Sequence, residues 1–205
     1  MFDYLIAGIS LGFVAGISPG PLLILVINET IKYNRKEGIK MSLVPLLSDL
    51  PIVLLSLLVI LKLSDSGILL GVISFMGAGF LIYLAIENMR VKLPEINLSN
   101  IKTRTFKKGV VANLLSPHPY LFWMLVGAPI TIKAYNESFL ASVLFIAGFY
   151  VFIVGTKIMV AYLSDKSKKI LSSKSYIVIV KVLGFILLLF SIILIKDGFK
   201  FVGII

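Results

Sequence analysis

Asp49, His118 and Lys157 are side chains able to carry charge or a proton that lie deep inside stretches otherwise apolar. An ionised carboxylate at the centre of a hydrocarbon layer costs ~2.5 to 3.5 kcal/mol on insertion scales, so Asp49 must face the protein interior and hold a partner or a proton. A carboxylate that is neutral or paired at one stage and free at another couples solute movement to a proton or a sodium ion. The competing reading is a structural Asp satisfied by Ser48, Ser18 or a freed backbone amide. Lys157 suits neutralisation of Asp49 or capture of a substrate carboxylate, yet its stem is long enough to snorkel to a nearby boundary. His118, the only histidine, is suited to carry a proton or to hydrogen-bond across a cavity. Alone it does not make a His-cluster metal site.

Two short motifs share the same chemistry. Ser18-Pro19-Gly20-Pro21 and Ser116-Pro117-His118-Pro119 lie 98 residues apart, each inside an apolar stretch. A proline in a membrane helix frees backbone groups that must find other partners. Such a break turns half-helix ends, with their amides and carbonyls, toward a polar ligand, and paired interrupted spans are the best sequence pointer to a transporter binding site. A passive kink is the plainer alternative. Asn113, Ser116 and Asn28 either line the same pathway or join helices. Trp123 and Tyr120 sit too deep for an interfacial belt and either line a cavity or pack. Gly12, Gly16, Gly77 and Gly79 are expected to allow close helix contacts.

The elements that must position these groups follow from hydropathy. Of the 205 residues 59% are hydrophobic, and mean hydropathy is +1.04, which excludes a soluble domain with a wet surface. Uncharged runs cover Tyr4 to Asn28, Ser66 to Ile86, Gly109 to Ile132 and Ser138 to Thr156. Met41 to Leu61 and Ser175 to Ile195 carry one charge each, Asp49 and Lys181, the latter placed for snorkelling. Each is long enough to cross a ~30 Å core. The sequence therefore predicts an all-α membrane protein of six transmembrane helices. Three spans per half make the repeat inverted: 1–87, a cytoplasmic connection at 88–108, and 109–205, with Pro-broken helices 1 and 4. At 1.5 Å rise per residue, Asp49 falls roughly 16 Å deep, His118 near 15 Å and Lys157 near 10 Å. The expectation is convergence on one midplane cavity.

The net charge of +10 is explained by its distribution. The loops after spans 1, 3 and 5 hold fourteen of the twenty basic residues, so the positive-inside bias places both termini outside a cytoplasmic membrane. Nucleic acid is not an expected partner, and no cofactor is expected; the lipid bilayer is, and a homo-oligomer is compatible. The N-terminal stretch lacks a basic region and a small-residue cleavage pattern and reads as a retained first helix. With no cysteine, disulfides and thiolate metal sites are excluded.

Gly16 to Pro21 in the first span, Ser48-Asp49 in the second, Gly77 to Leu84 in the third and Gly109 to Pro117 in the fourth resemble the lysine exporter (LysE/RhtB) family, and the likeness spans the whole chain. The resemblance implies a secondary active exporter of amino acids or their derivatives, driven by a proton or sodium gradient, and not an enzyme. By matching motif, Pro19, Gly20, Pro21, Asp49, Asn113 and Pro117 carry the pathway role, joined from the residue reading by Ser18, Ser116, His118, Pro119 and Lys157. Two departures stand out. The family often has Asn-Pro-Lys where this chain has Ser116-Pro117-His118, and Pro45 and Pro51 flank Asp49, so the substrate need not be lysine, threonine or homoserine. The alternatives are export of a divalent metal cation, which would want more ligands than Asp49 and His118, export of another small metabolite, and an intramembrane enzyme built on Ser116, His118 and Asp49.

Overall fold

In a computed structural model the described residues are 1–63, 66–90, 106–166 and 174–204. Among them the chain is helical, with no strand. Most of the connection expected at 88–108 lies outside the described residues, as do Lys92, Lys102, Arg104, Lys168 and Lys169.

Helix α1 (Phe2–Ile17) stops where the prolines begin, and α2 (Pro21–Lys32) restarts with Pro21 at its first position, bent by 60° from α1. Pro suits that position because its missing N–H would be unpaired there anyway. A short α3 (Arg35–Ser42), capped by the Asn34 side chain accepting from the Glu37 amide at 3.2 Å, leads into α4 (Val44–Leu63). Helix α5 (Gly67–Met89) is followed by α6 (Phe106–Leu115), α7 (Pro117–Phe122), a π-helical turn (Trp123–Gly127) and α8 (Ala128–Glu137). Two long helices close the chain, α9 (Phe139–Lys166) and α10 (Lys174–Val202).

Among the described residues four helical segments are long and apolar enough to span a membrane: Arg35–Leu63, Gly67–Met89, Phe139–Asp165 and Tyr176–Val202. The bent pair α1–α2 makes a fifth if taken as one crossing. The span expected at Gly109 to Ile132 is no single helix. Pro117 and Pro119 stop α6 and start α7, and the wide turn at Trp123–Gly127 interrupts the rest. Leu47, Leu50, Leu54 and Leu58 form an exposed stripe on α4. Water would not tolerate such a surface at this density, and lipid does.

Close packing is set by small residues. Gly8, Gly12 and Gly16, one turn apart on α1, lie against α9: a Cβ at Gly8 or Gly12 would collide with the carbonyl of Phe145 or Phe149, and one at Gly16 would stand 2.7 Å from Thr156 Cβ. The order of these contacts makes α1 and α9 parallel. On the other side Gly67 and Gly71 meet Phe201 and Val202 while Gly184 meets Ala85, so α5 and α10 run antiparallel. Gly109 nestles against Met41 and Val44, and Asn113, one turn on, meets Ser48 and Asp49, so α6 runs parallel to the start of α4. Gly12, Gly16 and Gly77 thus serve the close approach expected of them; Gly79 does not, since a Cβ there would meet open space. Remote from the helix breaks, Tyr4 Oη donates to Glu137 at 2.6 Å and Lys133 to Asp197 at 2.7 Å, joining the start of α1, the end of α8 and the end of α10.

Candidate functional site

The site begins with missing amides. In an α-helix the carbonyls of Ala15 and Ile17 would accept from residues 19 and 21, but both are proline and have no N–H to give. The stop after Ile17 frees the Gly16 carbonyl as well. Buried carbonyls left unpaired are costly, so other groups must reach them. Lys157 on α9 donates to the Ala15 carbonyl at 3.3 Å and the Gly16 carbonyl at 3.2 Å, and Tyr176 on α10 donates to the Ile17 carbonyl at 3.2 Å. The ammonium also complements the negative end of the α1 dipole. Asn88 on α5 donates to Ser18 Oγ at 3.1 Å, so three distant helices hold this one break.

Asp49, on α4, is only 4% exposed. Its Oδ1 accepts from Asn113 on α6 at 2.6 Å and from Ser48 at 3.3 Å, and Asn113 also donates to Ser48 Oγ at 2.7 Å. Hydrogen bonds to a charged group contribute about 1.5 to 3 kcal/mol each, enough to offset much of the burial of a carboxylate. The Trp123 indole N–H donates to the same carboxyl group, so an amide, a hydroxyl and an indole surround it. Lys157, also 4% exposed, forms no ion pair with Asp49 within 4 Å. Two of its three N–H groups are directed at α1 instead.

Both residues line one cavity of about 150 Å³. Ser18, Pro19, Gly20, Pro21, Asn113, Ser116, His118 and Pro119 line it too. Pro117 does not: it is the first residue of α7, and its neighbours on either side reach the space instead. Asn28 also lies elsewhere, buried with its Oδ1 unpartnered. Ser116 and His118 both line the cavity, with no hydrogen bond between them among the described residues.

Trp123 was legible only as an aromatic of uncertain role. In the fold it opens the π-helical turn, and its ring lies over Gly127, where an added Cβ would sit 2.8 Å from Cζ3. The indole stacks on Tyr150 at 5.9 Å and meets Phe149 edge-on at 5.3 Å. Wide turns of this kind recur at functional sites. Tyr120 is partly exposed and absent from the lining. The sequence reading missed Tyr176 and Asn88. Neither has a local signal, because each earns its place only by reaching a break some seventy or more residues away.

Comparison with curated proteins and with solved structures gave no significant match. The sequence model of the LysE type translocator family matches residues 13–198, nearly the whole chain. It covers both proline motifs, Asp49, Asn113 and Lys157, and the proteins of that family are membrane transporters. With its apolar spanning helices and a cavity at two helix breaks, this multi-pass membrane protein belongs to the LysE type translocator family.

Proposed function

We propose that the protein is a secondary active exporter of amino acids or their derivatives across the cytoplasmic membrane, coupled to a proton or sodium gradient. The observation that carries this reading is the cavity itself. It is bordered by a carboxylate, an ammonium, an imidazole and the opened backbone of two interrupted helices, contributed by both halves of the chain. Asp49 is the coupling residue in this scheme: held by Asn113, Ser48 and Trp123 at the cavity wall, its carboxyl group is placed to exchange a proton, a sodium ion or a substrate ammonium. An acid that exchanges these partners between the two faces of the membrane links their movements.

The six crossings are read as two inverted halves, 1–87 and 109–205, joined by 88–108 on the cytoplasmic side, with both termini outside. Packing supports this. Exchanging the halves maps the parallel pair α1 and α9 onto the parallel pair formed by α4 with α6 to α8, and maps the α5–α10 pair onto itself. The fourteen basic residues of the alternate loops support the orientation. Export of a divalent metal is less well supported, since no three His, Asp or Glu side chains come together among the described residues.

The test is counterflow in proteoliposomes holding the purified full chain or Asp49→Asn, with and without an imposed proton or sodium gradient. Gradient-driven movement of an amino acid by the wild type, lost or uncoupled in Asp49→Asn, is the expected result. Full coupled transport by the variant would remove Asp49 from the mechanism.

A further inference from the structure

The cavity has a limited set of charges, and that set describes a ligand. Among the described residues its titratable lining is Asp49, Lys157 and His118, so there is one carboxylate and one ammonium. Lys157 stands at the end of α1, close to where α2 begins at Pro21; the next two residues, Leu22 and Leu23, line the cavity, and their amides precede the first hydrogen bond of that helix, from Ile24 to the Gly20 carbonyl. An ammonium and free helix-start amides together favour a carboxylate. Asp49, the one carboxylate in the lining, favours an ammonium. The remaining wall is largely apolar and aromatic, with Phe80, Trp123 and Phe149. Its volume, about 150 Å³, matches that of an apolar protein cavity that takes up benzene.

We propose that the site selects small zwitterionic amino acids with an uncharged, apolar side chain, such as valine, and rejects lysine and arginine. The inference rests on the exporter reading above and narrows it. The α-ammonium and α-carboxylate occupy both charges the cavity offers, so a cationic side chain meets an aromatic and aliphatic wall with no second acid. An unpaired charge confined there is strongly disfavoured.

Trp123 is the only tryptophan in the chain and lines the cavity, so its fluorescence reports occupancy directly. The purified protein in detergent is titrated with valine, alanine, lysine and arginine, and the same four are compared in counterflow. Expected is saturable change in emission and exchange with valine, with lysine and arginine at least tenfold weaker in both. Equal or stronger binding of lysine or arginine would overturn the proposed selectivity while leaving an amino-acid exporter in place. Valine-selective binding without exchange of any amino acid would uphold the pocket chemistry and remove the transport reading. No response to any of the four in either measurement would overturn both. In Phe80→Ala, a larger cavity is expected to admit phenylalanine and still exclude lysine; a matching gain for lysine would show that volume alone, and not charge, sets the choice.

Discussion

The Lys157 ammonium lies 3.2 Å from the carbonyl oxygen of Gly16, 141 positions earlier in the chain, and makes no ion pair with Asp49. The base of the cavity therefore holds a helix end in place, while the acid is held by an amide and a hydroxyl. Each charge has its own support: Lys157 reaches back to α1, and Asp49 is held by its neighbour Ser48 and by Asn113 on α6.

Replacing Lys157 by Met preserves much of the stem volume and removes both donors to α1. Two buried carbonyls lose their partner at about 1 to 3 kcal/mol each. The expected result is a marked fall in thermal unfolding temperature and loss of transport, with Lys157→Arg recovering part of both. Unchanged unfolding of Lys157→Met in detergent would show that the capping bonds do not stabilise the fold.

Asn113→Leu strips the shortest hydrogen bond from Asp49, 2.6 Å. The loss is about 1.5 to 3 kcal/mol when the partner is charged. Transport is expected to fall at least tenfold, and Asn113→Gln, which keeps the amide, is expected to recover some of it. Wild-type rates in Asn113→Leu would mean that the orientation of Asp49 is set elsewhere.

Tyr176→Phe deletes one hydroxyl and its bond to the Ile17 carbonyl. A neutral hydrogen bond contributes about 0.5 to 1.5 kcal/mol. The expected outcome is a small loss of stability and a measurable change in transport rate, smaller on both counts than for Lys157→Met. An effect equal to that of Lys157→Met would contradict the ranking of a neutral cap below a charged one.

Gly12→Val places branched carbons where the Phe149 carbonyl already sits. Overpacking costs about 1 to 3 kcal/mol even where side chains yield, and here the obstacle is backbone. The variant is expected to aggregate or run as a broad species in size-exclusion chromatography. Gly79→Ala, with no atom within 4 Å of the added carbon, is expected to behave as wild type. Should Gly12→Val stay monodisperse and active, the close α1–α9 contact is not needed for assembly.

The sequence by itself determined the class of the protein, the two helix breaks and the family. All three depend on short-range properties: apolar run length, the missing N–H of proline, and motif order. It also marked Asp49, because a carboxylate inside an apolar run is anomalous wherever the chain goes. The identity of its partner was not readable, and neither was the role of Lys157, for which ion pairing, substrate capture and snorkelling all fitted. Prolines 19 and 21 dictate which carbonyls lose their donors, Ala15 and Ile17. Only the tertiary structure decided that Lys157 and Tyr176 would reach that end of α1, that Asn113 would take Asp49, and that Pro117 would be left off the cavity wall. The physical reason is that a helix fixes its own hydrogen bonds within four residues. The groups that repair a broken one are chosen by how distant helices cross, which rests on glycine contacts spread over the whole chain.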